Sequence, residues 1–69
     1  MDRYYIEFVI PKTLNTFDMQ SHWFDSEEKA MEWLREFDYI SMQVEIYLMK
    51  AHWYNEEEYG DISQVRRVI

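Results

Sequence analysis

The sequence predicts an α+β fold in the order ββαββ, with an antiparallel sheet of three to four strands and one amphipathic helix packed on one face. Two segments before residue 25 are rich in β-formers or alternate apolar and polar residues, which is typical of strands. A helical repeat of apolar residues follows, and β-rich segments return after residue 42. With 69 residues, one Gly, one Pro and no internal repeat, the chain is expected to form a single domain over 1–69.

The first strand is predicted from Tyr4 to Ile10, where Pro11 closes it. The second is predicted from Thr16 to Phe24 as a half-buried strand that pairs back on the first. Strict alternation along the second strand would place Phe17, Met19 and Trp23 on one face and Asp18, Gln20 and His22 on the other.

The helix is predicted from about Ser26 to Phe37 or Tyr39. Asp25 and Glu28 have the spacing of a capping box, and acidic residues in the first turn suit the positive end of the helix dipole. The apolar residues recur at i, i+3, i+4 and i+7, which indicates one buried stripe: Ala30, Trp33, Leu34 and Phe37.

The third strand is predicted over 43–54, with Val44, Ile46 and Leu48 on one face. Apolar residues then move to the other face, which suggests a bulge near Lys50. An acidic turn over 55–61 and a short last strand over 62–69 complete the chain.

One helix covers only one face of such a sheet, so the other face should be mainly polar. Here it also carries large apolar side chains, which a monomer would leave as an exposed patch of the kind that marks an interface. A homodimer is the simplest use of that patch. Alternatively, the C-terminal segment folds over it, or the Tyr hydroxyls face water. The residues concerned are Tyr5, Val9, Tyr47, Met49 and Trp53.

Composition restricts the classes of partner. The net charge of −7 repels nucleic acid and anionic membranes and attracts basic protein surfaces. No segment approaches the roughly 20 apolar residues of a membrane span, and the start of the chain lacks the pattern of a signal peptide. Cytoplasmic residence is therefore expected. The chain has no Cys, which excludes disulfides and thiolate metal sites.

Motifs for catalysis or cofactor binding are not recognisable in the sequence. A zinc site needs three or four ligands, and His22 and His52 supply only two. Nothing in the spacing identifies carboxylates that would complete the site, so both His are expected to be surface or interface groups of the sheet. Ser21 and His22 are adjacent in a predicted strand, so their side chains point to opposite faces. One Gly does not make a phosphate-binding loop. No enzyme activity, cofactor or metal is expected.

Acidic residues form two groups that could bind a basic partner. Glu28, Glu32 and Glu36 recur every four residues along one helix face, and Asp25 extends the row. The second group is Glu56, Glu57 and Glu58, with Asp61 nearby. Such a row has a step comparable to that of phosphates on a nucleic-acid strand and could occupy a basic groove built for DNA. The alternative is a solvated helix face and a soluble loop, since Glu is a good helix former.

At class level the chain resembles the small, acidic, aromatic-rich proteins that bacteriophages make early in infection to disable host enzymes. The resemblance lies in the short Cys-free chain, the segment Phe24-Asp25-Ser26-Glu27-Glu28-Lys29-Ala30 that leads from two strands into a lone helix, and the acidic rows. It matches no named family. It implies a DNA-handling host target: a nucleoid protein, a restriction nuclease, RNA polymerase or a DNA-repair glycosylase.

Three hypotheses follow. The first is a non-catalytic inhibitor that mimics nucleic acid through its acidic rows and binds a basic, DNA-binding host protein. The second is an interaction or assembly module that uses the aromatic face of the sheet and tolerates salt. The third is a small enzyme or metal protein.

Overall fold

A computed structural model describes residues 1–9, 19–37 and 44–68 of the chain. Strands β1 (Asp2–Val9), β2 (Met19–Gln20), β3 (Glu45–His52) and β4 (Ser63–Arg67) form one antiparallel sheet in the order β2-β1-β3-β4, and helix α1 (Glu27–Arg35) lies between β2 and β3 in the chain. The predicted α+β class and the order ββαββ are confirmed. The predictions for residues 10–18, 38–43 and 69 lie outside the described residues.

The centre of the sheet is the pair formed by β1 and β3, whose register runs unbroken from Asp2 opposite His52 to Val9 opposite Glu45. Residues that face each other across the ladder project on the same side. The helix side of the sheet therefore carries aliphatic and aromatic side chains that pack against Ala30 and Leu34. The fully buried core on that side is Ile6, Phe8, Ala30, Leu34, Ile46 and Leu48.

Helix α1 begins one residue later along the chain than a capping box at Asp25 requires. Ser26 is the N-cap, and its hydroxyl accepts a hydrogen bond from the Lys29 backbone nitrogen at 3.2 Å. Asp25 instead forms an exposed ion pair with Lys29 at 3.6 Å. The prediction of Asp25 as the cap is wrong, because the shorter Ser side chain at the following position takes that role.

The strand that precedes the helix contains a bulge. Phe8 pairs with Met19, and Tyr4 pairs with Phe24 through backbone hydrogen bonds of 2.7 and 2.9 Å. Between these two pairings the chain advances by four residues in β1 and by five residues in the neighbouring segment. One residue is inserted between these two pairings, which interrupts strict alternation.

The bulge places Met19 and Trp23 on opposite sides of the sheet, so the prediction that they share a face is wrong. Ser21 marks the irregularity: its backbone nitrogen donates to the Ile6 carbonyl, and its hydroxyl accepts from the Ile6 nitrogen at 2.7 Å. After it, His22 contacts rings on the helix side, whereas Trp23 packs against Tyr5 on the opposite side.

The bulge predicted near Lys50 is absent from the β1–β3 ladder among the described residues. The register shift lies in the β3–β4 ladder, between Leu48 and Met49. Because Leu48 faces Arg66 and Met49 faces Gln64, the extra residue is Val65 in β4. Apolar residues occur on both faces of β3 because both faces are covered.

Among the described residues, no helix has the length and apolar character that a membrane span requires.

Candidate functional site

An aromatic cluster covers half of the sheet face opposite the helix. We define the aromatic cluster as Tyr5, Trp23, Trp53 and Tyr59. Trp23 lies at its centre, with ring centroids 4.8 Å from Tyr5, 5.1 Å from Trp53 and 5.2 Å from Tyr59. Edge-to-face and tilted pairs at these distances are the favourable arrangements for aromatic rings. The bulge at residues 22–23 and the bridge between Trp53 and Tyr59 bring the rings together.

The cluster buries Tyr5, whose side chain is only 4% exposed. The expectation that a monomer would leave Tyr5 in an exposed patch is therefore wrong, because Trp23 of the same chain covers it. Burial also raises the pKa of the Tyr5 phenol, and the nearby Glu7 carboxylate adds to the effect. The other predicted interface residues on this face are intermediate in burial: Val9, Tyr47, Met49 and Trp53.

The other half of this face is polar. Glu45 pairs with Arg67 at 3.1 Å, and the Arg67 guanidinium also lies 6.0 Å from the Tyr47 ring centroid. Glu7 accepts a hydrogen bond from Gln20 at 3.3 Å. The face thus divides into an aromatic half and a charged half.

The helix row consists of Glu28, Glu32 and Glu36, all exposed. None of the three makes an ion pair or a hydrogen bond through its carboxylate with any described residue. One step of four residues along a helix rises roughly 6 Å. Arg35 is three residues from Glu32 and shares this solvent face, so the row is not purely negative.

The acidic turn is the more concentrated negative feature. Tyr54 donates its backbone N–H to the Glu58 carbonyl, and Asn55 Oδ1 accepts from the backbone nitrogens of Glu57 and Glu58 at 2.8 and 2.9 Å. These bonds give the turn a defined shape. No Lys or Arg occurs between 51 and 61, whereas the helix surface has Lys29 and Arg35. The four acids of the turn are all exposed: Glu56, Glu57, Glu58 and Asp61.

Other acids are engaged within the chain. Glu27 at the start of α1 pairs with Arg66 of β4 at 3.3 Å. His52 lies 3.0 Å from Asp2, and this hydrogen bond lowers the pKa of the Asp2 carboxyl, although desolvation acts in the opposite direction. His22 contacts Phe24 and Trp33. Within the described residues, no three His, Asp or Glu side chains converge as metal ligands.

A pocket of about 250 Å³ lies beside the aromatic cluster and the acidic turn. Arg3 stacks over Trp53 there, with the guanidinium carbon 4.5 Å from the ring centroid. Sequence reasoning did not select Arg3, Trp23 or Tyr59, because their proximity depends on the bulge and on the hairpin at 53–59. The pocket lining is Met1, Arg3, Trp53, Tyr54, Asn55 and Glu56.

Comparisons of this chain with models of protein families, with curated proteins and with solved structures find no match.

Proposed function

We propose that this chain is a non-catalytic binding protein whose unpaired carboxylates mimic nucleic acid and occupy the basic groove of a DNA-binding protein. In the proposed setting, the chain is a phage-type inhibitor acting in the host cytoplasm. It binds no nucleic acid itself, since its net charge is −7. The proposed contacts without a basic partner among the described residues are Glu28, Glu32, Glu36, Glu56, Glu57 and Glu58. Asp25 extends the helix row, although its carboxylate also pairs with Lys29.

The observation that carries the proposal is the division of the acids into two sets. Glu27 and Glu45 pair with arginines of β4, whereas the helix row and the acidic turn have no basic partner among the described residues. Unpaired carboxylates on a rigid surface can replace DNA phosphates in a basic groove and release the same bound counterions. The acidic turn is the stronger half, because no positive side chain lies within it.

The test uses three variants with the same change in net charge. One replaces Glu28, Glu32 and Glu36 with Gln, and the second replaces Glu56, Glu57 and Glu58 with Gln. The control replaces acids that are engaged within the chain: Glu7, Glu27 and Glu45. Binding to a DNA-binding partner captured from a bacterial lysate is measured over a range of salt concentrations, with double-stranded DNA as competitor.

We expect DNA to compete for the partner and each of the first two variants to bind more weakly than the control. Loss of three phosphate-like contacts should reduce the slope of log affinity against log salt by about 3. Equal weakening in all three variants would show that only net charge matters. A complex that DNA does not displace would refute mimicry, provided that circular dichroism shows all variants to be folded.

A second candidate function is a protein–protein interaction or assembly module, including a homodimer. It is supported by two exposed aromatic side chains: Tyr59, a member of the aromatic cluster, is 45% exposed, and Tyr54 is 68% exposed. Such binding should persist at high salt and weaken in Tyr47→Ala and Trp53→Ala. Analytical ultracentrifugation measures the molar mass in solution at low and high salt. A molar mass that stays at twice that of the chain would identify a salt-resistant dimer.

A further inference from the structure

The pocket beside the aromatic cluster has walls held by backbone hydrogen bonds. Trp53 donates its backbone N–H to the Met1 carbonyl at 2.6 Å, and the Met1 nitrogen donates to the Trp53 carbonyl at 3.0 Å. On the other side, Asn55 fixes the turn that carries Glu56. The pocket is therefore formed by ordered elements and does not depend on a loose loop.

Arg3 is a basic residue without an ion pair to any described residue. Lys29, Arg66 and Arg67 each pair with a carboxylate, whereas Arg3, Arg35 and Lys50 do not among the described residues. Arg3 is half-buried, and its one recorded interaction among the described residues is the stacking on Trp53. A guanidinium has five N–H donors in a planar fork that matches a carboxylate. Arg3 thus places a positive charge in a pocket whose one acidic lining residue, Glu56, makes no ion pair with it.

The stacked pair contains two buried donors that lack an acceptor within the described residues, Arg3 Nε and Trp53 Nε1. Because both atoms are buried, the pocket itself is reached by the terminal guanidinium nitrogens of Arg3. Buried polar groups in proteins are nearly always hydrogen-bonded, so two unpaired donors on adjacent lining residues require an explanation. They also lie on the only pair of side chains in the described chain where a guanidinium stacks on an indole. The Arg3–Trp53 pair therefore provides hydrogen-bond donors and a positive charge, but no acceptor to match them.

We propose that this pocket binds an organic carboxylate with an apolar or aromatic body. The carboxylate pairs with the Arg3 guanidinium, and the apolar body packs on Trp53, Tyr54 and Met1. Glu56, which also lines the pocket, disfavours ligands with more negative charge, so a monoanionic carboxylate is preferred over phosphate. Glu56 is shared with the surface proposed to mimic nucleic acid. The carboxylate site rests on Arg3 and Trp53, so it does not depend on that mimicry.

The test follows the indole N–H resonance of Trp53 by NMR during titration of the full chain with benzoate, and Trp53→Phe assigns that resonance. Benzamide has the same shape without the charge, and inorganic phosphate has charge without the apolar body. We expect a saturable shift with benzoate, and affinity lower by about tenfold or more for benzamide, since a hydrogen bond to a charged group contributes about 1.5–3 kcal/mol.

Arg3→Met keeps much of the apolar packing and removes the charge, and Arg35→Met removes the same charge from the exposed helix surface. Benzoate affinity should fall about tenfold or more in Arg3→Met and stay unchanged in Arg35→Met. Glu56→Gln should strengthen binding of both benzoate and phosphate. Equal losses in the two arginine variants, or no saturable shift with benzoate, would overturn the proposal.

A short peptide that ends in phenylalanine, with a free or an amidated C-terminus, separates two sources of the carboxylate. Tighter binding of the free peptide than of benzoate identifies a peptide C-terminus as the ligand. Equal affinity of the two identifies a small carboxylate. Equal binding of the free and amidated peptides would overturn the role of the carboxylate.

Discussion

The two faces of the sheet are covered in different ways. On the helix side, a single continuous element places Ala30 and Leu34 over the aliphatic side chains of β1 and β3. On the opposite side, rings from three separate segments meet over one half of the sheet, while Glu45 and Arg67 occupy the other half. A few large aromatic side chains thus replace a second layer of secondary structure, each burying roughly 150–250 Å².

This difference explains why the chain covers an aromatic face without a second helix. The helix side depends on a local periodic pattern, and its core residues are fully buried. The aromatic cluster depends on the bulge at Trp23 and on the hairpin that returns Tyr59 to Trp53, and three of its four rings remain partly exposed. We therefore expect substitutions on the helix side to cost more stability than those in the aromatic cluster.

Leu34→Ala should have the largest effect. The side chain is 1% exposed within the core, so its truncation should lower the free energy of unfolding by about 2–5 kcal/mol. A domain of this length has a total stability of about 3–10 kcal/mol, so a large unfolded population is expected. Urea denaturation measures the loss, with Arg35→Ala as the exposed neighbouring control. A loss equal to that of the control would contradict the assigned core.

Trp23→Ala should have the next largest effect. It removes the ring that contacts all three other members of the aromatic cluster, but Trp23 is only half-buried. We expect a loss of about 2 kcal/mol, below the value for a fully buried Trp. Near-ultraviolet circular dichroism should lose intensity as the ring contacts disappear. Trp23→Phe keeps an aromatic ring and should lose less than half as much; a loss larger than in Leu34→Ala would reverse the comparison between the faces.

Ser26→Ala tests how much the N-cap of helix α1 contributes to stability. Loss of the hydrogen bond from Lys29 to the Ser26 hydroxyl should lower the unfolding free energy by about 1 kcal/mol. Asp25→Ala removes only an exposed ion pair and should cost less, about 0.5 kcal/mol or under. Thermal unfolding of the two variants gives the ranking. A larger loss in Asp25→Ala would make Asp25 the effective cap.

Ionisation of Tyr5 should slightly lower the free energy of unfolding at alkaline pH. Its pKa is raised in the folded protein, mainly by burial. The neutral phenol is therefore favoured by folding, and this contribution is complete below the unfolded pKa of 10.0 and is lost as the pH rises through the folded value. Ultraviolet absorbance should show tyrosine ionisation that extends above the ordinary pKa of 10.0. Tyr5→Phe should remove that late titration, and its persistence would assign it to another tyrosine.

Much of the fold could be predicted because its elements carry local signals. Ala30 and Leu34 lie at helical spacing, and Ile46 and Leu48 recur every second residue, so the face that each pair shares follows from periodicity. The exposed positions of the helix row and the acidic turn also agree with their sequence pattern. The predicted capping by Asp25 failed because two adjacent residues can cap and only their geometry distinguishes them.

The sequence by itself determined the fold class, the order of the elements, the helix-side core and the excess of negative charge, since these depend on residue type and on spacing within a segment. Tertiary structure alone decided that Trp23 turns away from Met19, that the aromatic cluster covers Tyr5, and that Arg3 lies over Trp53 beside the acidic turn. The physical reason is that a single inserted residue reverses the faces of a strand. Contacts between distant segments then depend on that reversal, which no local pattern records.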